Sequence, residues 1–182
     1  NMPYRFVYRI IKDLNPHSIM IIDDILSELR ITKDEEEINF LKKAADINMK
    51  SMIEGIMNIS EGISEKKLMR IIRDAALDYG AEETPFTIVQ SGPNTSMPHK
   101  ETSERMIKRN DVILLDIGAT YKGYVSDITR TVILGTPSSK IEKVFEVVKK
   151  SQEEGISIIK PGITAHDLDQ KVRSMIEKYG YG

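Results

Sequence analysis

Leu114-Leu115-Asp116-Ile117-Gly118-Ala119-Thr120-Tyr121-Lys122-Gly123-Tyr124-Val125-Ser126-Asp127-Ile128-Thr129-Arg130-Thr131 is the stretch on which the fold turns. Val112 to Ile117 is an apolar strand broken by one acid, Asp116, and Tyr124 to Leu134 is β-branched and strand-like. With a turn at Thr120-Tyr121-Lys122-Gly123, the numbers of antiparallel partners sum to 243, and Asp116 and Asp127 are directly opposed. Opposed Cβ atoms lie about 4.5–5.5 Å apart, so the two carboxylates repel by roughly 3 kcal/mol at an effective dielectric of about 20. Val112 and Leu114 share the Asp116 side, which makes the surroundings partly apolar. A protonated acid, an arginine or a divalent cation can offset the repulsion. Arg130 falls on the other face by alternation, which makes it a poor partner. Two hard oxygen ligands facing one another suit one or two divalent ions bridged by carboxylates. Solvated, turn-flanking acids are the plain alternative. That alternative suits Asp127 taken alone but not Asp116 inside an apolar strand.

Working outward, Phe86-Thr87-Ile88-Val89 is strand-like and 91–98 is turn-rich, with Gly92, Pro93, Asn94 and Pro98. Helices flank this middle on both sides. Tyr4, Val7, Tyr8 and Ile11 predict a short helix over 4–14, ended by Asn15-Pro16; 18–22 reads as extended and 23–30 as a brief helical turn. A long helix starts near Thr32, where Thr32 and Glu35 have capping-box spacing, and its stripe runs Ile38, Leu41, Ala45, Met49, Met52, Ile56. The next helix begins at Ser64, carries Leu68, Ile71, Ile72, Ala75 and Tyr79, and stops at Gly80. After Pro137, Ser139 and Glu142 form a second candidate capping box, and Pro161-Gly162 separates that helix from a last one with Leu168, Val172, Ile176 and Tyr179.

The two helix pairs repeat at an offset of 100: Leu68 matches Leu168, Ile72 matches Val172, Tyr79-Gly80 matches Tyr179-Gly180, and Glu54-Gly55-Ile56 matches Glu154-Gly155-Ile156. The first pair is followed by strands. The sequence ends two residues after the second Tyr-Gly, so a matching second set of strands is expected to be missing. The fold class expected is α+β, with two amphipathic helix pairs packed on an antiparallel sheet.

Bulk properties narrow the chemistry. The chain has 182 residues, 40% hydrophobic and 30% charged, which suits one soluble domain. A net charge of −2 argues against nucleic acid as a partner. Cysteine is absent, so any metal is held by oxygen or by the imidazoles of His17, His99 and His166. No apolar run nears the ~20 residues of a membrane span, so no membrane partner is expected, and the default compartment is the cytoplasm.

Asp116-Ile117-Gly118-Ala119 followed by Gly123-Tyr124-Val125-Ser126-Asp127-Ile128-Thr129-Arg130-Thr131 resembles the signature of the pita-bread metallopeptidases. Ser91-Gly92-Pro93-Asn94 with Pro98-His99 resembles the preceding block of that family. Leu29-Arg30-Ile31-Thr32-Lys33-Asp34 resembles the domain junction of its Xaa-Pro branch, the prolidases and Xaa-Pro aminopeptidases. The resemblance implies a partial pita-bread fold, with 1–28 as the tail of an N-terminal domain plus linker and 29–182 as an incomplete catalytic domain.

It further implies a metal-dependent exopeptidase cleaving the Xaa-Pro bond of a proline-containing peptide, working as a homodimer. Asp116 and Asp127 would be metal ligands for two divalent ions (Mn²⁺, Co²⁺ or Zn²⁺), and His99 would bind substrate or move a proton. Thr129 would line the metal site and Phe86 the substrate pocket, although core packing explains Phe86 equally well. The downstream histidine and two glutamates of the family pattern have no counterpart before Gly182. The chain alone is therefore expected to be inactive, to lack a complete metal site and to self-associate. A methionine aminopeptidase and a non-catalytic pita-bread binding module are the alternatives. His17 and His166 match nothing in the pattern and read as surface or helix-terminus residues.

Overall fold

The computed structural model describes residues 3–17, 20 and 22–181. The extended run expected over 18–22 includes Ser18, Ile19 and Ile21, which lie outside the described residues. Packing divides the chain into two units, Asn1–Phe40 and Leu41–Gly182.

The first unit holds α1 (Tyr4–Leu14), α2 (Asp23–Ile31) and the start of α3 (Glu35–Met57). Asn15 closes α1 in the left-handed region, donating its N–H to Ile11 O. The start of α3 differs from the expected Thr32/Glu35 box. Thr32 is extended and terminates α2. The box forms two residues on: Glu37 N–H donates to Asp34 Oδ1 (2.9 Å) and Asp34 N–H to Glu37 Oε2 (2.8 Å).

In the second unit the remainder of α3 is followed by α4 (Glu65–Asp78), β1 (Thr87–Ser91), a 3-10 turn over Gly92–Ser96, β2 (Val112–Tyr121), β3 (Tyr124–Ile133), α5 (Ser139–Ser157) and α6 (Ala165–Lys178). The strands form one antiparallel sheet in the order β1-β2-β3, so the molecule is α+β as expected. Its back face carries Val89, Ile113, Leu115 and Ile117, which pack with Met52, Leu68, Ile72 and Ile107 into the main core. Leu68, Ile72 and Ala76 recur every four residues along α4, which is why one side of that helix is buried against the sheet. Burial of Leu68 and of Ile72 stabilises the fold by about 1.5–3 kcal/mol each.

The β2–β3 register corrects the sequence reading. Tyr121 pairs with Tyr124, leaving Lys122 and Gly123 as a two-residue turn with φ of 51° and 78°. Positive φ at both positions is the type I′ geometry that matches strand twist. Asp116 is therefore opposite Thr129, and Asp127 is opposite Gly118; the acids are diagonal neighbours, not direct ones. The slip is two residues, so every side chain keeps the face assigned from alternation.

The structure keeps the repeat. α4 and α6 span 65–78 and 165–178, with Ser64 and Thr164 as their N-caps. Gly62 and Gly162 both have positive φ, as do Gly80 and Gly180. Gly55 and Gly155 mark the close approach in each hairpin, where an added Cβ would collide with Ile72 and Val172 respectively. The expected Ser139/Glu142 box does not form. Ser138 is the N-cap, accepting from Ile141 N–H, which moves Glu142 one position too far along. Thr164 and Asp167 do form a full capping box.

Candidate metal centre

The back face of the sheet packs against α3 and α4, and the candidate ligands lie on the other face. Register places Ile88 and Gln90 of β1, Leu114, Asp116 and Gly118 of β2, and Asp127, Thr129 and Thr131 of β3 on this open face. Asp116 is half-buried between Ile88 and Thr129, and Asp127 is exposed. The Thr129 hydroxyl donates to Asp116 Oδ1 at 2.8 Å. No lysine or arginine pairs with either acid among the described residues.

The back face fixes the two strand segments that carry the acids. Asn48, fully buried on α3, donates from Nδ2 to Ile117 O (2.7 Å) and to Ser126 Oγ (3.1 Å). Ser126 Oγ lies within reach of Ala44 O (3.0 Å) and Ala119 O (3.2 Å). The residue after Asp116 and the residue before Asp127 are thus tied to one helix, which holds the register beneath the acids.

Phe86 lies just ahead of β1 and accepts the Gly118 N–H at 3.0 Å. An added Cβ on Gly118 would stand 2.7 Å from Phe86 Cε1, so the ring covers the open-face position opposite Asp127. Gly118 is required for that close approach.

His99 sits in an exposed turn with a positive φ of 62°. Gln90, 3% exposed, donates from Nε2 to Met97 O (3.1 Å) and Lys100 O (2.9 Å), and so brackets Pro98-His99. Gln90 pairs with Leu114 on the Asp116 face, which places the His99 turn on that side of the sheet. The imidazole does not close on the acids: among the described residues no three His, Cys, Asp or Glu side chains converge to hold a metal. His17 and His166 are exposed.

Sequence reasoning missed Glu65. Its carboxylate is fully buried at the first position of α4. Oε1 accepts from Ser91 N (2.7 Å), Ser91 Oγ (2.7 Å) and Asn94 Nδ2 (2.9 Å). Oε2 accepts from Ser103 Oγ (2.6 Å), Ser103 N (3.1 Å) and Asn94 Nδ2 (3.1 Å). Burial raises the Glu65 pKa, but the hydrogen bonds from Ser103, Ser91 and Asn94 outweigh it and leave the carboxyl below its ordinary value. Beside this hub, Arg105 grips Asp111 with two bonds (2.6 and 3.0 Å) and donates to Ser91 Oγ at 2.6 Å. A signal for Glu65 was present in the repeat, where its match is Ala165. An acid at a helix start otherwise reads as a dipole partner.

The donor set fits part of a hard-cation site. Asp127 has no hydrogen bond or ion pair to another described residue, and Asp116 has one oxygen engaged by Thr129, so both present carboxylate oxygens on the open face.

The description "Metallopeptidase family M24" belongs to the family whose pattern matches residues 39–182. The Xaa-Pro dipeptidase of Pyrococcus horikoshii is 37% identical over 183 residues, covering 100% of this chain and 52% of that protein. The crystal structure of the prolidase from the same organism superposes with a TM-score of 0.96 at 37% identity, over 100% of this chain and 53% of the other. The X-Pro aminopeptidase from Thermotoga maritima gives 0.89 at 36% identity, over 97% of this chain and 50% of the other. The chain spans about half the length of the curated relatives it matches.

Proposed function

Because this chain belongs to metallopeptidase family M24, which implies use of a divalent metal, we propose that it carries the front part of the site of an exopeptidase cleaving the Xaa-Pro bond. One observation carries the reading: Asp116 and Asp127 share the open face of the hairpin, and neither forms an ion pair among the described residues. The names of its relatives, Xaa-Pro dipeptidase and X-Pro aminopeptidase, supply the substrate class.

In this reading Asp116 and Asp127 hold the ion or ions, and Mn²⁺, Co²⁺ and Zn²⁺ are the candidates, with hard carboxylates suiting Mn²⁺. When bound, such an ion supplies Lewis acidity toward the peptide carbonyl. Thr129 holds Asp116 Oδ1 and so sets the orientation of that carboxylate. Phe86 offers an apolar wall beside Gly118 for the proline ring. His99, on the same side of the sheet, binds substrate or moves a proton at its imidazole. Two carboxylates do not complete a dinuclear site, so in this reading the chain by itself turns over no peptide. Residues 1–28 are taken as the end of an N-terminal domain, and the enzyme as a cytoplasmic homodimer.

The experiment carries the polypeptide along its own coding sequence to the stop codon, adds Mn²⁺ or Co²⁺, and follows proline release from a Xaa-Pro dipeptide and a Xaa-Pro tripeptide. The present chain and an Asp116→Asn form of the longer one run alongside. Turnover by the longer chain, abolished in Asp116→Asn, is expected. The peptide preferred separates dipeptidase from aminopeptidase. No cleavage of either peptide and no retained metal would make this a binding module of the same fold.

A further inference from the structure

We propose that Glu65 is the positioning residue of the site: one buried carboxylate pins both ends of the segment that carries His99 and thereby sets where His99 stands over the open face. The effect on turnover rests on the peptidase reading above; the structural part does not.

The segment leaves the sheet at Ser91 and returns to α4 at Ser103. Each of these residues gives Glu65 both its N–H and its hydroxyl, and Asn94 bonds both carboxylate oxygens from between them. The returning chain also meets the free end of α4, where Glu65 N–H donates to Arg105 O (2.9 Å) and Lys66 N–H to Ser103 O (3.1 Å). A second tier sits inside the first. Gln90 holds Met97 O and Lys100 O on either side of His99, and Lys100 Nζ donates to Asn94 Oδ1 at 2.7 Å. Asn94 therefore links the two tiers, with its amide nitrogen on Glu65 and its oxygen on the residue after His99. His99 itself holds a left-handed backbone, φ 62°, a conformation that persists for a residue with a side chain only where its surroundings impose it.

The repeat argues that the carboxylate serves the segment and not the helix hairpin. α6 has the same length as α4, the same kind of N-cap and the same terminal Tyr-Gly, yet it carries Ala165 where α4 carries Glu65. A helix pair of this build forms without the acid. What the first pair has in addition is the 91–103 segment to hold, and all three residues that bond the carboxylate lie in it.

Glu65→Gln keeps the shape and puts an NH₂ where one oxygen accepts backbone N–H, which cannot turn away. Amide exchange in this chain is read at Met97 and Lys100, whose N–H groups bond Asn94 O and Met97 O and never touch Glu65. Both are expected to exchange about tenfold faster or more, from a buried donor left unpaired, while Leu115 and Ile117 of β2 stay within about twofold. Ser103→Ala, which leaves the carboxylate in place, gives the same pattern with a smaller amplitude and covers the case in which Glu65→Gln fails to fold. Unchanged Met97 and Lys100 amides, or β2 amides that accelerate equally, would overturn the proposal. In the longer polypeptide, Glu65→Gln lowers kcat more than it alters KM, and Glu65→Gln with His99→Ala is no slower than His99→Ala alone. Multiplicative losses would show that Glu65 does not act through His99. If the unaltered longer chain cleaves no Xaa-Pro peptide, the peptidase reading has failed, and the exchange result still decides the positioning claim.

Discussion

The two helix hairpins, α3–α4 and α5–α6, share the bounds and N-cap position of their second helix, the terminal glycines and a buried serine at Ser51 and Ser151, yet among the described residues the second helix buries side chains only in the first. Leu68, Ile72 and Ala76 are fully buried against the sheet, whereas α6 buries no residue among those described. Local sequence therefore suffices to build the hairpin: a capped start, a glycine at the crossing, and a glycine at the stop. It does not supply the burial that makes the hairpin stable, because that comes from a sheet laid against it.

The comparison breaks most visibly at matched leucines. Leu68→Ala should cost about 2–5 kcal/mol in urea unfolding, while Leu168→Ala, at a half-buried site, should cost under about 1 kcal/mol. Equal losses would mean that α6 is packed as tightly as α4. Next come the crossing glycines. Gly55→Ala drives a methyl into Ile72 inside the core and should destabilise by about 1–3 kcal/mol. Gly155→Ala meets Val172 on a helix with no fully buried residue among those described, and the gain in helix propensity of about 1 kcal/mol should leave it near neutral.

Acid should then act on the buried hub of the first half. The folded Glu65 pKa lies below its ordinary value of 4.5, so its contribution is fully present above about that pH and is lost as pH falls through the lower folded value. The stability gap between the unaltered chain and Glu65→Gln should therefore narrow below pH 4.5, in denaturation curves taken at stepped pH. The smallest contrast is at the caps: Ser64→Ala and Thr164→Ala should each cost about 1 kcal/mol, with little difference between the halves, because a cap bond is local.

Alternation and spacing made the faces of β2 and β3 legible, and with them the shared face of Asp116, Asp127 and Thr129. The constant offset made α4 and α6 legible from their N-caps to their terminal Tyr-Gly. Register was not legible, because Lys122 is not a usual left-handed residue and nothing in the sequence marked the turn as two residues long. The caps at Asp34 and Ser138 were displaced by one or two positions for a related reason: several capping residues lie side by side, and only the hydrogen bonds choose among them. Glu65 was hidden by its position, where a solvated acid at a helix start and a buried hub look alike in sequence.

In the proposed reading the open face of the sheet is a metal face built on Asp116 and Asp127. Crystals of the polypeptide carried to its stop codon, soaked in Mn²⁺, would test it by anomalous scattering. An anomalous peak in contact with both carboxylates, lost in Asp116→Asn, is expected. A peak remote from these residues, or one that persists in Asp116→Asn, would contradict it.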